Sequence, residues 1–210
     1  MAKMIIDSIV LSPCATNCYY IYKENSNKVI FIDPGDRGDY IYDYLKAKGL
    51  SIDIILLTHG HFDHIWGCEK LRELSGAKVY ALDAEEKLLL SPDMNVSGLA
   101  GRSCSLKADG FFSDGDSLNI CGFDIKVLAT PGHTAGSCCF FFENEKVLIS
   151  GDTLFEESVG RTDFPTGSGS VLARSIREKL AVLPDDVKVY PGHGDATTIG
   201  HERDYNPFWN

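Results

Sequence analysis

The chain has no apolar run near the ~18 residues that a bilayer-crossing helix requires, which sets aside an integral helical membrane protein. Met4–Leu11 is too short for the hydrophobic part of an export signal and is interrupted by Asp7. Leu11-Ser12-Pro13-Cys14 therefore reads as the end of an opening strand rather than a lipoprotein cleavage site, and a cytoplasmic protein is expected. No C-x-x-C pair occurs among the seven cysteines, Cys14, Cys18, Cys68, Cys104, Cys121, Cys138 and Cys139. The odd number and the spacing argue against a disulfide framework or a cysteine zinc site and for reduced, mostly buried small hydrophobes. Positive charge is scarce: 20 Lys and Arg against 30 Asp and Glu give a net charge of −10. Such a surface repels nucleic-acid backbones and anionic lipid headgroups, so neither is an expected partner. Low-complexity segments, charge blocks and Pro/Ser-rich linkers are missing as well. Nothing marks a place to cut the 210 residues, and one domain over 1–210 is expected.

What is present is an ordinary globular composition, 44% hydrophobic and 24% charged, arranged as alternating strands and helices. Apolar runs bounded by turn residues predict strands at Met4–Val10, Cys18–Tyr22, Val29–Ile32, Lys78–Leu82, Ser117–Ile120, Phe123–Leu128, Cys138–Phe142, Val147–Ile149 and Lys188–Tyr190. The continuous apolar run Ile52–Leu57 predicts a strand buried on both faces. Helical spacing predicts a helix with Ile41, Tyr44, Leu45 and Lys48 on one face, stopped by Gly49. Further helices are expected around Cys68–Leu74, near Ala84–Leu90, and through Leu172, Ile176, Leu180 and Leu183 up to Pro184. Residues 91–110, punctuated by Gly and Pro, read as an irregular surface excursion. Helices interleaved with runs of strands suggest an α/β fold of two packed sheets with helices outside. Val29–Asp36 and Val147–Asp152 echo one another, each a strand feeding a turn with acidic residues.

The histidines carry the most information. Three of the six fall in Thr58-His59-Gly60-His61-Phe62-Asp63-His64, directly after the buried strand. Two more close strand-end turns, Thr130-Pro131-Gly132-His133 and Pro191-Gly192-His193-Gly194, and Ser150-Gly151-Asp152-Thr153 repeats the device with a carboxylate. A rigid strand followed by a tight glycine turn presents one ligand-type side chain at a fixed place. Five imidazoles and two carboxylates exceed what one catalytic zinc ion needs, and suit two divalent ions bridged by a carboxylate. His201 stands apart from these turns and reads as an ordinary surface or core residue.

These motifs, Thr58–His64, Gly132-His133-Thr134, Gly151-Asp152-Thr153 and Gly192-His193-Gly194, resemble the metallo-β-lactamase superfamily signature in order and spacing. Gly151–Phe155 with Ser158–Pro165, and the tail Thr197–Arg203 with Asn206-Pro207-Phe208, are similar to the glyoxalase II-like (hydroxyacylglutathione hydrolase-like) branch in its small bacterial form. The resemblance implies a four-layer αββα sandwich with the metals at one edge of the sheets. It implies that His59, His61 and His133 bind a first ion and Asp63, His64 and His193 a second, with Asp152 bridging. Asp63 and Asp152 would then serve catalysis together with a hydroxide held between two divalent ions, zinc first among them, iron(II) or manganese(II) as alternatives. Asp33 would orient a ligand from behind. Arg161 and Asp163 would face the substrate, a small acyl-thiol such as an S-lactoylglutathione-like thioester, or else pair with one another to hold their loop. Only 17 residues follow His193, so the helical C-terminal region of longer relatives is not expected and the identity of the thiol stays open. Two alternatives are a persulfide dioxygenase with one iron on His59, His133 and Asp152, and a lactonase or other ester hydrolase. Monomer and homodimer are both left open.

Overall fold

The computed structural model describes residues 2–11 and 13–209; Ser12, within the cleavage-site-like stretch, lies outside them. One sheet contains β1 (Met4–Leu11), β2 (Thr16–Lys23), β3 (Lys28–Ile32), β4 (Ser51–Leu56), β5 (Lys78–Leu82) and β6 (Gly110–Phe112), hydrogen-bonded in that order. The other runs β14 (Thr197–Thr198), β13 (Lys188–Pro191), β10 (Val147–Gly151), β9 (Cys138–Phe142), β8 (Phe123–Ala129), β7 (Ser117–Ile120). A small hairpin, β11 (Leu154–Phe155) with β12 (Ser158–Val159), stands beside it.

Strand alternation sorts the side chains into layers. On β9, Cys138, Phe140 and Phe142 join Ile30, Ile32 and Leu56 of the first sheet between the two sheets. Cys139 and Phe141 point the other way, onto Leu172, Ile176 and Leu180. The outer face of the first sheet, with Tyr20, Phe31 and Ile55, is covered by Ile41 and Leu45 of α1 (Gly38–Ala47) and by Leu71. The result is the expected αββα sandwich. All seven cysteines are free, and four of them, Cys18, Cys68, Cys138 and Cys139, are buried.

The internal echo has a structural counterpart. β3 is parallel to β4 and β10 is parallel to β13, and both strands end in a left-handed residue, Asp33 at φ 54° and Gly151 at φ 50°. Each of these strand ends delivers a carboxylate, Asp33 or Asp152, toward the same edge of the sandwich.

Several expectations need correction. Residues 91–110 are not a bare surface excursion: Asn95, Val96, Ser97 and Leu106 are buried, and the Asn95 carbonyl accepts from Phe62 N at 3.0 Å, directly under the histidine-rich turn. The helix expected near Ala84–Leu90 is a 3-10 turn (Asp83–Glu85) running into the short α4 (Glu86–Leu89), which follows α2 (Phe62–Ile65) and α3 (Cys68–Ser75). The helix expected to reach Pro184 is α5 (Gly169–Ser175) continued by a π-helical turn over Ile176–Leu180. Lys48 does share a side of α1 with Tyr44, its ammonium 4.8 Å from that ring centre, but it is exposed and caps the helix rather than lying within it. The hairpin β11–β12 and the closing helix α6 (Ile199–Tyr205) had no periodic signal because each is only a turn or two long.

Candidate metal centre

Four strand ends converge at one edge of the sandwich. β4 leads into His59-Gly60-His61 and then α2, whose first turn carries Asp63 and His64. β8 leads to His133, β10 to Asp152, and β13 to His193. Space at the convergence is so tight that a Cβ on Gly192 would lie 2.2 Å from Asp152 Oδ1 and 2.8 Å from His64 Cε1, so only glycine lets this turn close.

The donor atoms gather as two groups, with Asp33, His59 and His64 forming a third behind them. His59, His61 and His133 form one, and Asp63, His64 and His193 the other, with the ligand atoms of each group within 4.8 Å of one another. In the first, His61 Nδ1 is 2.9 Å from His133 Nε2. In the second, His64 Nε2 is 3.4 Å from His193 Nε2, and Asp63 Oδ2 is 3.3 Å from His193 Nε2. Asp152 stands between them: Oδ1 is 3.4 Å from His64 Nε2, and Oδ2 is 3.5 Å from both His133 and His193. All seven residues expected to serve as ligands are thus brought to one place.

The set suits metal ions on two counts. His59 Nε2, His61 Nε2 and Asp152 Oδ1 are buried without a hydrogen-bond partner. An orphaned buried polar atom costs about 1–3 kcal/mol, and three in one spot mark a place built for a bound group. The electrostatics agree. Burial pushes His59 far below its ordinary range, His61 down to about 3, and His133 down as well, so all three are held neutral, the form that ligates. Burial opposes ionisation of Asp63 and Asp152, yet His64 and His193 outweigh it and both carboxyls are held below the usual range. Burial likewise opposes charge on His64 and His193, but the surrounding carboxylates drive His64 well up and His193 to about 9. The carboxylate cluster calls for positive charge, which divalent ions supply; the residues fit.

Behind the donors sits a supporting layer. His64 Nδ1 donates to Asp33 Oδ2 at 2.9 Å, while Thr58 donates through N (2.8 Å) and Oγ1 (2.6 Å) to the same carboxyl. Asp33 thereby engages Nδ1 of His64 and leaves its Nε2 facing the other donors. Two partners were missed. The Arg161 carbonyl accepts from His133 Nδ1 at 2.7 Å, a backbone contact that no residue type announces. Glu85, fully buried, accepts from Gly60 N and Gly136 N, each at 2.8 Å, and so ties the His59–His61 turn to the segment after His133. Its position beside Glu86 in an acidic stretch hides it among surface residues.

A cavity of about 470 Å³ opens over the donors, walled by Phe62, Phe155, Val159, Phe164, Cys14 and Arg161. Arg161 is the only Lys or Arg on that wall among the described residues. Its guanidinium is engaged bidentately by Asp163 (2.7 and 2.8 Å) and lies 3.8 Å from the Phe164 ring centre; the pairing holds Asp163 down to about 2. His201 is remote from the donors and pairs with Glu157 at 3.1 Å.

Fold and site together define a metal-dependent enzyme of the two-sheet hydrolase class. A family model described as the metallo-β-lactamase superfamily matches residues 11–193, and the chain belongs to that superfamily. It is 40% identical over 200 residues to a probable metallo-hydrolase of Streptococcus pyogenes, covering 92% of this chain and 85% of that one. To a hydroxyacylglutathione hydrolase of Haemophilus influenzae it is 36% identical over 210 residues, covering 99% of both. Among solved structures it resembles the BLEG-1 B3 metallo-β-lactamase, with TM-score 0.93, 39% identity, and 98% and 100% of the two chains covered. It also resembles a di-iron-bound form of TTHA1623 (TM-score 0.86, 31%, 96% and 99%) and ETHE1 from Myxococcus xanthus (TM-score 0.76, 28%, 97% and 83%). No helix among the described residues is long and apolar enough to cross a membrane.

Proposed function

We propose that this protein is a binuclear metal-dependent hydrolase of small acyl-thiols, adding water across the C–S bond of a thioester to release a carboxylic acid and a thiol. The observation that carries this reading is the pair of donor groups sharing Asp152, each supplied with three further ligands. Bound divalent ions there supply Lewis acidity and water of lowered pKa. The chain's own residues do the rest. Asp152 links the two halves, Asp33 and the Arg161 carbonyl fix the rotation of His64 and His133, and Phe62, Phe155 and Phe164 give the cavity an apolar wall. The likeness over full length to a hydroxyacylglutathione hydrolase supports the thioester class. Arg161 is the candidate anchor for a substrate carboxylate. Its partner Asp163 is exposed, and an exposed pair is weakly held, so an incoming carboxylate can replace it.

The dioxygenase alternative would use one iron on His59, His133 and Asp152 alone. It gives Asp63, His64 and His193 no task, and the close packing of those three favours the hydrolase. Elemental analysis of the purified protein with a panel of acyl-thiols tests the proposal. Two metal equivalents and thioester turnover are expected; two ions bound with no thioester turned over would sink it, and oxygen uptake with glutathione persulfide would transfer it to the alternative.

A further inference from the structure

The tail Thr197–Phe208 contributes no donor to the metal centre, yet it surrounds one side chain with unusual care. Glu202 is fully buried, and its two carboxyl oxygens accept from Thr197 Oγ1 at 2.6 Å, Asn206 Nδ2 at 2.7 Å and the backbone N of Glu157 at 2.9 Å. Asn206 Nδ2 also donates to the Ser158 carbonyl at 3.0 Å. His201, the neighbour of Glu202 on α6, reaches Glu157 Oε1 at 3.1 Å. Three of these bonds, from Glu202, His201 and Asn206, reach the β11–β12 hairpin at Glu157, in its turn at φ 53°, and at Ser158, the first residue of β12.

That hairpin is the wall of the reaction cavity. Phe155, Ser158, Val159 and Arg161 line it, and the Arg161 carbonyl orients His133. At its inner end the strand passes so close to the metal turn that a Cβ on Gly160 would lie 1.8 Å from the Asp152 carbonyl oxygen. The segment is thus pinned at both ends: against the metal turn through Gly160, and against α6 through Glu202 and Asn206. A two-residue-long hairpin has little intrinsic stability, so its position depends on such external ties.

We propose that Glu202 and Asn206 are positioning residues for substrate binding, holding the Phe155–Arg161 wall in register over the metal centre. The inference rests on the acyl-thiol reading for its kinetic consequence, but not for its structural one. Glu202→Ala in the metal-loaded protein should raise KM for S-lactoylglutathione about tenfold while kcat stays within about threefold, since displacing a wall costs binding more than chemistry. Metal content should remain at the wild-type value. Amide hydrogen exchange of residues 154–162 should quicken by about tenfold or more, with residues 59–64 unchanged. Glu202→Gln should recover most of the loss, because its amide can donate to the Thr197 hydroxyl while its oxygen keeps the Glu157 and Asn206 bonds. Should Glu202→Ala fail to fold, Asn206→Ala carries the same expectations, since it removes the tie to Ser158 and leaves Glu202 bonded to Thr197 and Glu157. Unchanged exchange over 154–162 overturns the proposal. So does an unchanged KM, or a parallel loss of metal, kcat and KM that Gln does not rescue. If the wild type turns over no thioester, the functional reading fails while the exchange experiment still decides this one.

Discussion

The two halves of the metal centre are built from opposite electrostatics. The His59–His61–His133 half is three buried imidazoles held neutral by desolvation and by one another, with no carboxylate of its own. The Asp63–His64–His193 half contains a carboxylate, leans on a second from Asp33, and pulls its imidazoles toward the protonated state. Asp152 touches both, and with Asp63 it gives the centre two negative charges for seven donors. The first half is dry and neutral, the form in which imidazoles ligate; in the second, carboxylates hold positive charge that a bound cation would replace. A single turn, Thr58–His64, feeds both halves because α2 begins inside it and rotates Asp63 and His64 away from His59 and His61.

The largest effect should come from removing the element the halves share. Asp152→Ala should lower kcat by about a thousandfold or more and reduce bound metal below two equivalents, read by elemental analysis and steady-state kinetics. Next, Asp33→Asn weakens chiefly the charged half, through its direct bond to His64, and reaches His59 only by way of Thr58. Metal affinity of one site, or activity, should fall roughly 10–100-fold while the other site still fills, as chelator competition would show.

Smaller, but more specific to the comparison, is the pH response of the metal-free protein. A histidine whose folded pKa is depressed, such as His61 at about 3, costs stability as pH falls below its ordinary value near 6.5, because the unfolded chain takes up the proton first. A histidine whose folded pKa is raised, such as His193 at about 9, contributes stability present below 6.5 and lost as pH rises through 9. Thermal melts of metal-free protein should therefore peak near the ordinary histidine pKa. His61→Ala should flatten the acid limb and His193→Ala the alkaline limb; a profile insensitive to either would show that the halves do not differ as described.

The smallest effect is at the cavity wall. Asp163→Asn frees Arg161 and should lower KM for carboxylate-bearing thioesters about threefold, leaving kcat within twofold. Neutral thioesters provide the control.

The donors were legible because their chemistry is rare and each follows a strand that its apolar run betrays, as Ile52–Leu57 does before His59. Asp33 was legible only through the resemblance to the superfamily; by its place before Pro34 alone it reads as a turn residue. What stayed hidden was support delivered by backbone or by common residues in common company. The Arg161 carbonyl has no side-chain signature, Glu85 sits beside another glutamate, and Glu202 sits in a tail that resemblance could flag but spacing could not explain. Residues 91–110 were misread because turn-rich composition looks alike whether the segment lies on the surface or, through Asn95 and Leu106, packs under α2. The helix through Leu172, Ile176 and Leu180 kept its buried face despite the π-turn, since the apolar side chains rather than the hydrogen-bond pattern set its contact with the second sheet.

The central claim is that two unlike half-sites must both be filled for turnover. The direct measurement is a zinc titration of metal-free protein, following S-lactoylglutathione hydrolysis and bound metal together, in the wild type and in His193→Ala. Activity rising through the second equivalent, and lost in a variant that binds only one, is the predicted result. Full activity at one equivalent, unaltered by His193→Ala, would contradict the account.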